Sequence, residues 1–160
     1  MSMFAVTTKP TPIGNQNVRF LSYALGFWSA GLAVAQMVSF EDFVGALRSY
    51  HVAGERGTVA IAILLLTLEV FSVPFLFRLS LSRAARFVSA FFAVILPYAW
   101  TAMTVTVFLN GSTVENAGYF GRFLSMHVGG VVLTLDLLWM VVVALTFGAI
   151  GGKKALRGRA

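Results

Sequence analysis

Two carboxylates sit deep in apolar surroundings: Glu69 within LTLEVF and Asp136 within LTLDLL. An ionisable group inside an apolar span is costly, so by default it is a functional hypothesis. Counted inward from Thr58 and Leu124 at about 1.5 Å per residue, both lie roughly 17–18 Å deep. Pro97, Tyr98 and Thr101 of a third apolar run reach a similar level from the opposite direction, and Ser29 lies near the middle of a first. One polar layer of Ser29, Glu69, Tyr98, Thr101 and Asp136 is therefore expected. No lysine or arginine is near it in the sequence. At least one of the two acids should then carry a proton, because two unpaired carboxylates at low dielectric repel strongly. Such a layer has two uses: hydrogen bonds that fix helix register, or a site for a proton or a quinone headgroup.

Other chemistries are thinly supplied. The chain has no cysteine, which removes disulfides, thiolate nucleophiles and thiolate metal sites together. Its two histidines, His51 and His127, fall in different segments. No metal and no cofactor is expected.

The elements that must position the acids follow from composition. Hydrophobic residues make up 58% of the 160 residues and charged ones 11%, against about 25% charged in a typical soluble domain. Four stretches, about 18–39, 58–79, 85–109 and 124–150, are long enough to cross a bilayer. The expected fold is an all-α integral membrane protein, a four-transmembrane-helix bundle over 18–150. An N-terminal arm (1–17) precedes it and a basic tail (151–160) follows.

The net charge is +6. In this setting it reads as orientation in the membrane rather than as affinity for nucleic acid. Lys9, Arg19, Arg78, Arg83, Arg86, Lys153, Lys154, Arg157 and Arg159 fall on one side; Arg48, Arg56 and Arg122 fall on the other. The positive-inside rule puts both termini in the cytoplasm, in a bacterial inner membrane. AVAQ at 33–36 looks like a cleavage site, but the first span is read as a retained anchor.

The first outer loop carries Phe40, Phe43, Val44, Leu47 and Tyr50 at helical spacing. Ser39 is placed to cap this helix, with Glu41 and Asp42 in its first turn. A short interfacial amphipathic helix is expected, either closing the top of the bundle or offering a face to a periplasmic partner. In the first span, Gly26, Ser29, Ala30 and Gly31 form a small-residue face for close helix approach.

The second outer loop contains VENAGYFGRF, residues 114–123. Together with FVGALRSYHV at 43–52 and Glu69 in TLEVFSVPFLF, it resembles the DoxX-like superfamily, in its methylamine-utilisation (MauE) branch. Members of that branch resemble four-helix membrane bundles with a glutamate in the second span and N-C-G-C-F-G before the fourth. Asn116, Gly118, Phe120 and Gly121 match this pattern, while the family cysteines fall at Ala117 and Tyr119. The resemblance implies a thiol–disulfide scaffold whose sulfur chemistry has been lost. A phenol cannot stand in for an exchangeable thiolate.

The expected function is therefore a non-catalytic subunit, or an assembly or stabilising factor, of a bacterial membrane redox or energy-converting complex. Phe43, Leu47, Tyr50, Asn116, Tyr119 and Phe120 are its expected contacts. Two alternatives stay open: an oxidoreductase component with a proton or quinone site around Glu69 and Asp136, and a small-solute carrier.

Overall fold

The computed structural model describes residues 7–8, 10, 15–111 and 113–157, with the side chains of 7, 8 and 149–157 left out. Most of the expected arm and the side chains of the expected tail lie outside the described residues.

The protein is an all-α bundle. Helix α1 spans Gln16–Val38, α2 Phe40–Arg48, α3 Glu55–Leu76, α4 Arg83–Leu109 and α5 Gly130–Arg157. Two-residue strands β1 (Thr7–Thr8) and β2 (Leu81–Ser82) pair antiparallel beside the α3–α4 turn. Helices α1, α3 and α4, with α5 over Gly130–Gly148, are long and apolar enough to cross a membrane. The chain is a multi-pass membrane protein. Around the bundle each long helix packs on two others, in the cyclic order α1, α3, α4, α5.

Local chemistry sets the helix ends. The Asn15 side chain accepts from Asn17 N at 3.0 Å and opens α1. Ser82 Oγ accepts from Ala85 N at 3.2 Å and opens α4. Proline inside α3 is accommodated by a neighbouring hydroxyl. Pro74 lacks an N–H and disturbs the ladder around it. There Ser89 of α4 accepts from Phe75 N at 3.0 Å and donates to Phe71 O. Hydroxyls of neighbouring helices commonly re-satisfy backbone groups freed in this way. On the small-residue face of α1, a Cβ on Gly26 would stand 3.3 Å from Leu76 and Phe77 of the α3 end, so α1 and α3 approach closely there. Gly31 has nothing within 4 Å of that position and takes no part.

Two expectations about the end of the bundle that carries α2 are corrected. Helix α2 forms, with Glu41 and Asp42 in its first turn, but Ser39 makes no cap to it. The Ser39 hydroxyl donates back to Ala35 O at 2.7 Å and accepts from Arg122 N at 3.3 Å, tying α1 to the segment between α4 and α5. The fourth span starts at Gly130, not near 124. Residues 124–129 instead run beside the loop: Ala117 N donates to Met126 O at 2.7 Å and Val128 N to Val114 O at 2.8 Å. Hydropathy does not distinguish such a paired apolar segment from the first turns of a helix.

Candidate functional site

The site is built around the segment 114–121, which enters the open end of the bundle. Asn116 shapes it. Its Nδ2 donates to Gly121 O at 3.0 Å, and its Oδ1 accepts from Gly118 N at 2.9 Å. Gly118 and Gly121 have φ of 82° and 54°, a region that disfavours residues with a Cβ. At Gly121 the demand is also steric, because a Cβ would fall 1.8 Å from Ser39 Oγ. The motif residues of the loop are thus the ones that turn it.

Side chains from four elements then hold the turned loop. Tyr50, just past α2, donates its hydroxyl to Ala117 O at 3.0 Å. Gln36, near the end of α1, donates through Nε2 to Tyr119 O at 3.1 Å. The Tyr119 ring packs on Trp100 of α4, centroids 4.4 Å apart. Its phenol donates to Asp136 Oδ1 of α5, and Thr104 of α4 donates to Asp136 Oδ2 at 2.8 Å. Val114, Ala117 and Tyr119 are all buried. Irregular backbone at membrane depth is tolerated only where protein surrounds it.

The second acid, Glu69 of α3, is fully buried. Its Oε1 accepts from Gln36 Nε2 at 3.0 Å and from Trp100 Nε1 at 3.4 Å. Among the described residues its Oε2 has no partner, and neither has Gln36 Oε1. A buried polar atom left unsatisfied costs about 1–3 kcal/mol. The orientation of the Gln36 amide is fixed by its surroundings: both groups facing Nε2 are acceptors, so a flipped amide would face two oxygens with an oxygen.

The two tyrosines outside the spanning helices are displaced strongly upward in pKa. Burial is the largest cause at Tyr50, followed by the charge of Asp136. At Tyr119 burial again leads, and then the charge and hydrogen bond of Asp136, only partly offset by Thr104. Both phenols stay protonated and act as donors.

Of the expected polar layer, Glu69, Asp136 and Ser29 are buried, but the acids do not meet a common set of partners. Tyr119 joins them, through its carbonyl on the Glu69 side and its phenol on the Asp136 side. Ser29 lies about two turns from Gln36 along α1 and is a partner of neither acid. Tyr98 is 51% exposed and faces away from the core. Thr101 donates to Pro97 O at 2.8 Å and to Met140 Sδ at 3.2 Å. The depth count placed Asp136 twelve residues into its span, whereas it stands six past Gly130, nearer the loop.

The expected partner contacts are also relocated. Phe43, Leu47, Tyr50 and Tyr119 are buried within the chain itself. Together with Trp100 and Val114 they form a buried plug that seats the loop. Asn116 and Phe120 remain partly accessible, with Phe120 edge-on to Trp28, centroids 5.6 Å apart.

Three members of the site were not expected from the sequence: Gln36, Trp100 and Thr104. Gln36 has a usable signal, a primary amide two residues from the end of α1, but in the sequence it also completes the AVAQ cleavage-like pattern. Trp100 and Thr104 share a helix face, being four residues apart on α4. Comparison with family models, curated proteins and solved structures returned no match for this chain.

Proposed function

We propose that this protein is a non-catalytic subunit or stabilising factor of a membrane redox or energy-converting complex. In this reading it lies in a bacterial inner membrane with both termini in the cytoplasm, on a DoxX-like, MauE-type scaffold that has lost its thiol chemistry. One observation carries the reading: the polar groups that could do chemistry are engaged in seating the chain's own loop. Asp136 is held by Tyr119 and Thr104, and Glu69 by Gln36 and Trp100, all of them buried. The resemblance is supported by where its matches fall. Asn116, Gly118 and Gly121 set the turn, while Ala117 and Tyr119, at the positions of the family cysteines, are sealed.

With the plug residues inside, partner contact belongs to the outward aromatic faces. Phe87 and Phe91 of α4 stack one turn apart and are both exposed, and Phe71 of α3 stands exposed as well. Buried aromatic anchors dominate many protein interfaces. The test is a pair of strains. Loss of the protein should lower the level of one membrane complex in a mild-detergent gel. Phe87→Ala with Phe91→Ala should reproduce that loss while the protein itself accumulates normally. Membrane complexes unchanged in its absence would overturn the reading.

A further inference from the structure

We propose that Gln36 and Glu69 form a proton-binding site, in which a proton on Glu69 Oε2 is donated to Gln36 Oε1 and the closed pair latches the 114–121 loop. The inference stands apart from the companion-subunit reading.

The argument is one of donors and acceptors. Both hydrogens of the Gln36 amide are in use, one on Glu69 Oε1 and one on Tyr119 O. Trp100 gives its single N–H to the same Oε1. Among the described residues two acceptors are left over, Glu69 Oε2 and Gln36 Oε1, one on each member of a pair already joined by the Nε2–Oε1 bond. A carboxyl group and a primary amide are both planar and forked. When one N–H···O bond joins them, a single added proton on the acid closes the second edge and satisfies both leftover atoms. An ionised Glu69 would leave both of these buried oxygens without a donor.

Among the described residues no neighbour donates to either atom. On α3 itself Ser72 donates to the Glu69 backbone carbonyl, not to its side chain. From α4 comes Trp100, already committed, and from α1 comes Gln36. The titratable groups that face the site from the other elements are Tyr119 of the loop, whose phenol goes to Asp136 of α5, and Tyr50 after α2, whose hydroxyl goes to Ala117 O.

The latch follows from the same geometry. The Gln36 amide bonds the acid and the loop carbonyl through one nitrogen. Whatever rotates the amide away from Glu69 also withdraws it from Tyr119.

Infrared difference spectroscopy on the purified full chain in lipid at pH 7 tests the proton. Wild type minus Glu69→Gln should show the carbonyl band of a protonated carboxylic acid, shifted in Gln36→Leu. A carboxylate band at Glu69 in place of the acid band would overturn the proposal. A thiol reporter tests the latch. The chain has no cysteine of its own, so Ala117→Cys gives one buried probe in the seated loop. Glutamine at position 69 reproduces the donor pattern of the neutral acid. Glu69→Gln should therefore keep maleimide labelling of the probe within about twofold, while Gln36→Leu should raise it at least about tenfold, or ~1.4 kcal/mol. A tenfold rise in Glu69→Gln would show that the charged form holds the loop, and would sink the inference.

Discussion

Tyr119 is the residue on which both acids converge, and its two ends do different work. The carbonyl end meets the Glu69 side through Gln36, and the phenol end meets Asp136. Tyr119→Phe keeps the ring on Trp100 and removes only the donor. Asp136 then loses one of its two partners inside the membrane, which should cost about 1–3 kcal/mol. Denaturant unfolding in detergent measures this at neutral pH. The sign of the alkaline limb follows from the pKa direction. The buried phenols of Tyr50 and Tyr119 hold their protons more tightly than the unfolded chain does. The stability they support is complete below about pH 10, the ordinary tyrosine value. It falls as pH rises past that point, since the unfolded chain releases protons that the folded one keeps. Tyr119→Phe should flatten that fall, leaving the Tyr50 part. At this scale the sequence was only half legible. Glu69 and Asp136 stand out because acids in apolar runs are rare. Gln36, Trp100 and Thr104 do not, because an amide, an indole and a hydroxyl are ordinary in helices until a partner is known. Tyr98 was misplaced because a depth count sets height along a helix but not the face a side chain takes.

At the scale of elements, the helices were legible and the loop's path was not. Long apolar runs with polar breaks gave all four spans. The ends of the first three differ by at most three residues; the fourth helix runs on to Arg157 and starts at Gly130 rather than near 124, because the apolar residues 124–129 pair with the loop rather than entering the helix. Nothing in a hydropathy pattern signals that a polar, glycine-punctuated loop will turn inward. What drives it inward is a local surplus of buried partners: Tyr50, Gln36 and Asp136 each offer a bond that only this loop fills. Two glycines separate the roles of position and composition. Gly121→Ala places a Cβ 1.8 Å from Ser39 Oγ at a φ of 54°, and strained left-handed backbone alone costs of order 1–3 kcal/mol. The variant should lose stability by at least that much and expose the Ala117→Cys probe. Gly31→Ala, with open space around it on α1, should be neutral or gain up to about 1 kcal/mol from helix propensity. Matched thermal melts of the two in the same detergent separate them. Equal effects would mean that the loop is not seated on Ser39.

The whole molecule is polarised along the bundle axis. The plug, α2 and residues 113–129 close one end, whereas β1 pairs beside the α3–α4 turn at the other. That second end carries Arg78, Arg83 and Arg86, and by sequence also Lys9 and the basic residues after the last span. Cytoplasmic loops of membrane proteins carry the excess of lysine and arginine, so the turn end is expected inside and the plug outside. A cysteine-free chain allows a clean measurement. Ser80 lies in the α3–α4 turn and Thr113 in the segment after α4, and both side chains are exposed. A single crossing by α4 separates them, so they must fall on opposite sides. In cells, an impermeant maleimide should label Thr113→Cys and not Ser80→Cys; in inverted vesicles the pattern should reverse. Labelling of Ser80→Cys alone from outside would invert the orientation and place the plug in the cytoplasm. Labelling of both from the same side would contradict α4 as a crossing helix, and with it the enclosure that lets two acids sit buried beside an irregular loop.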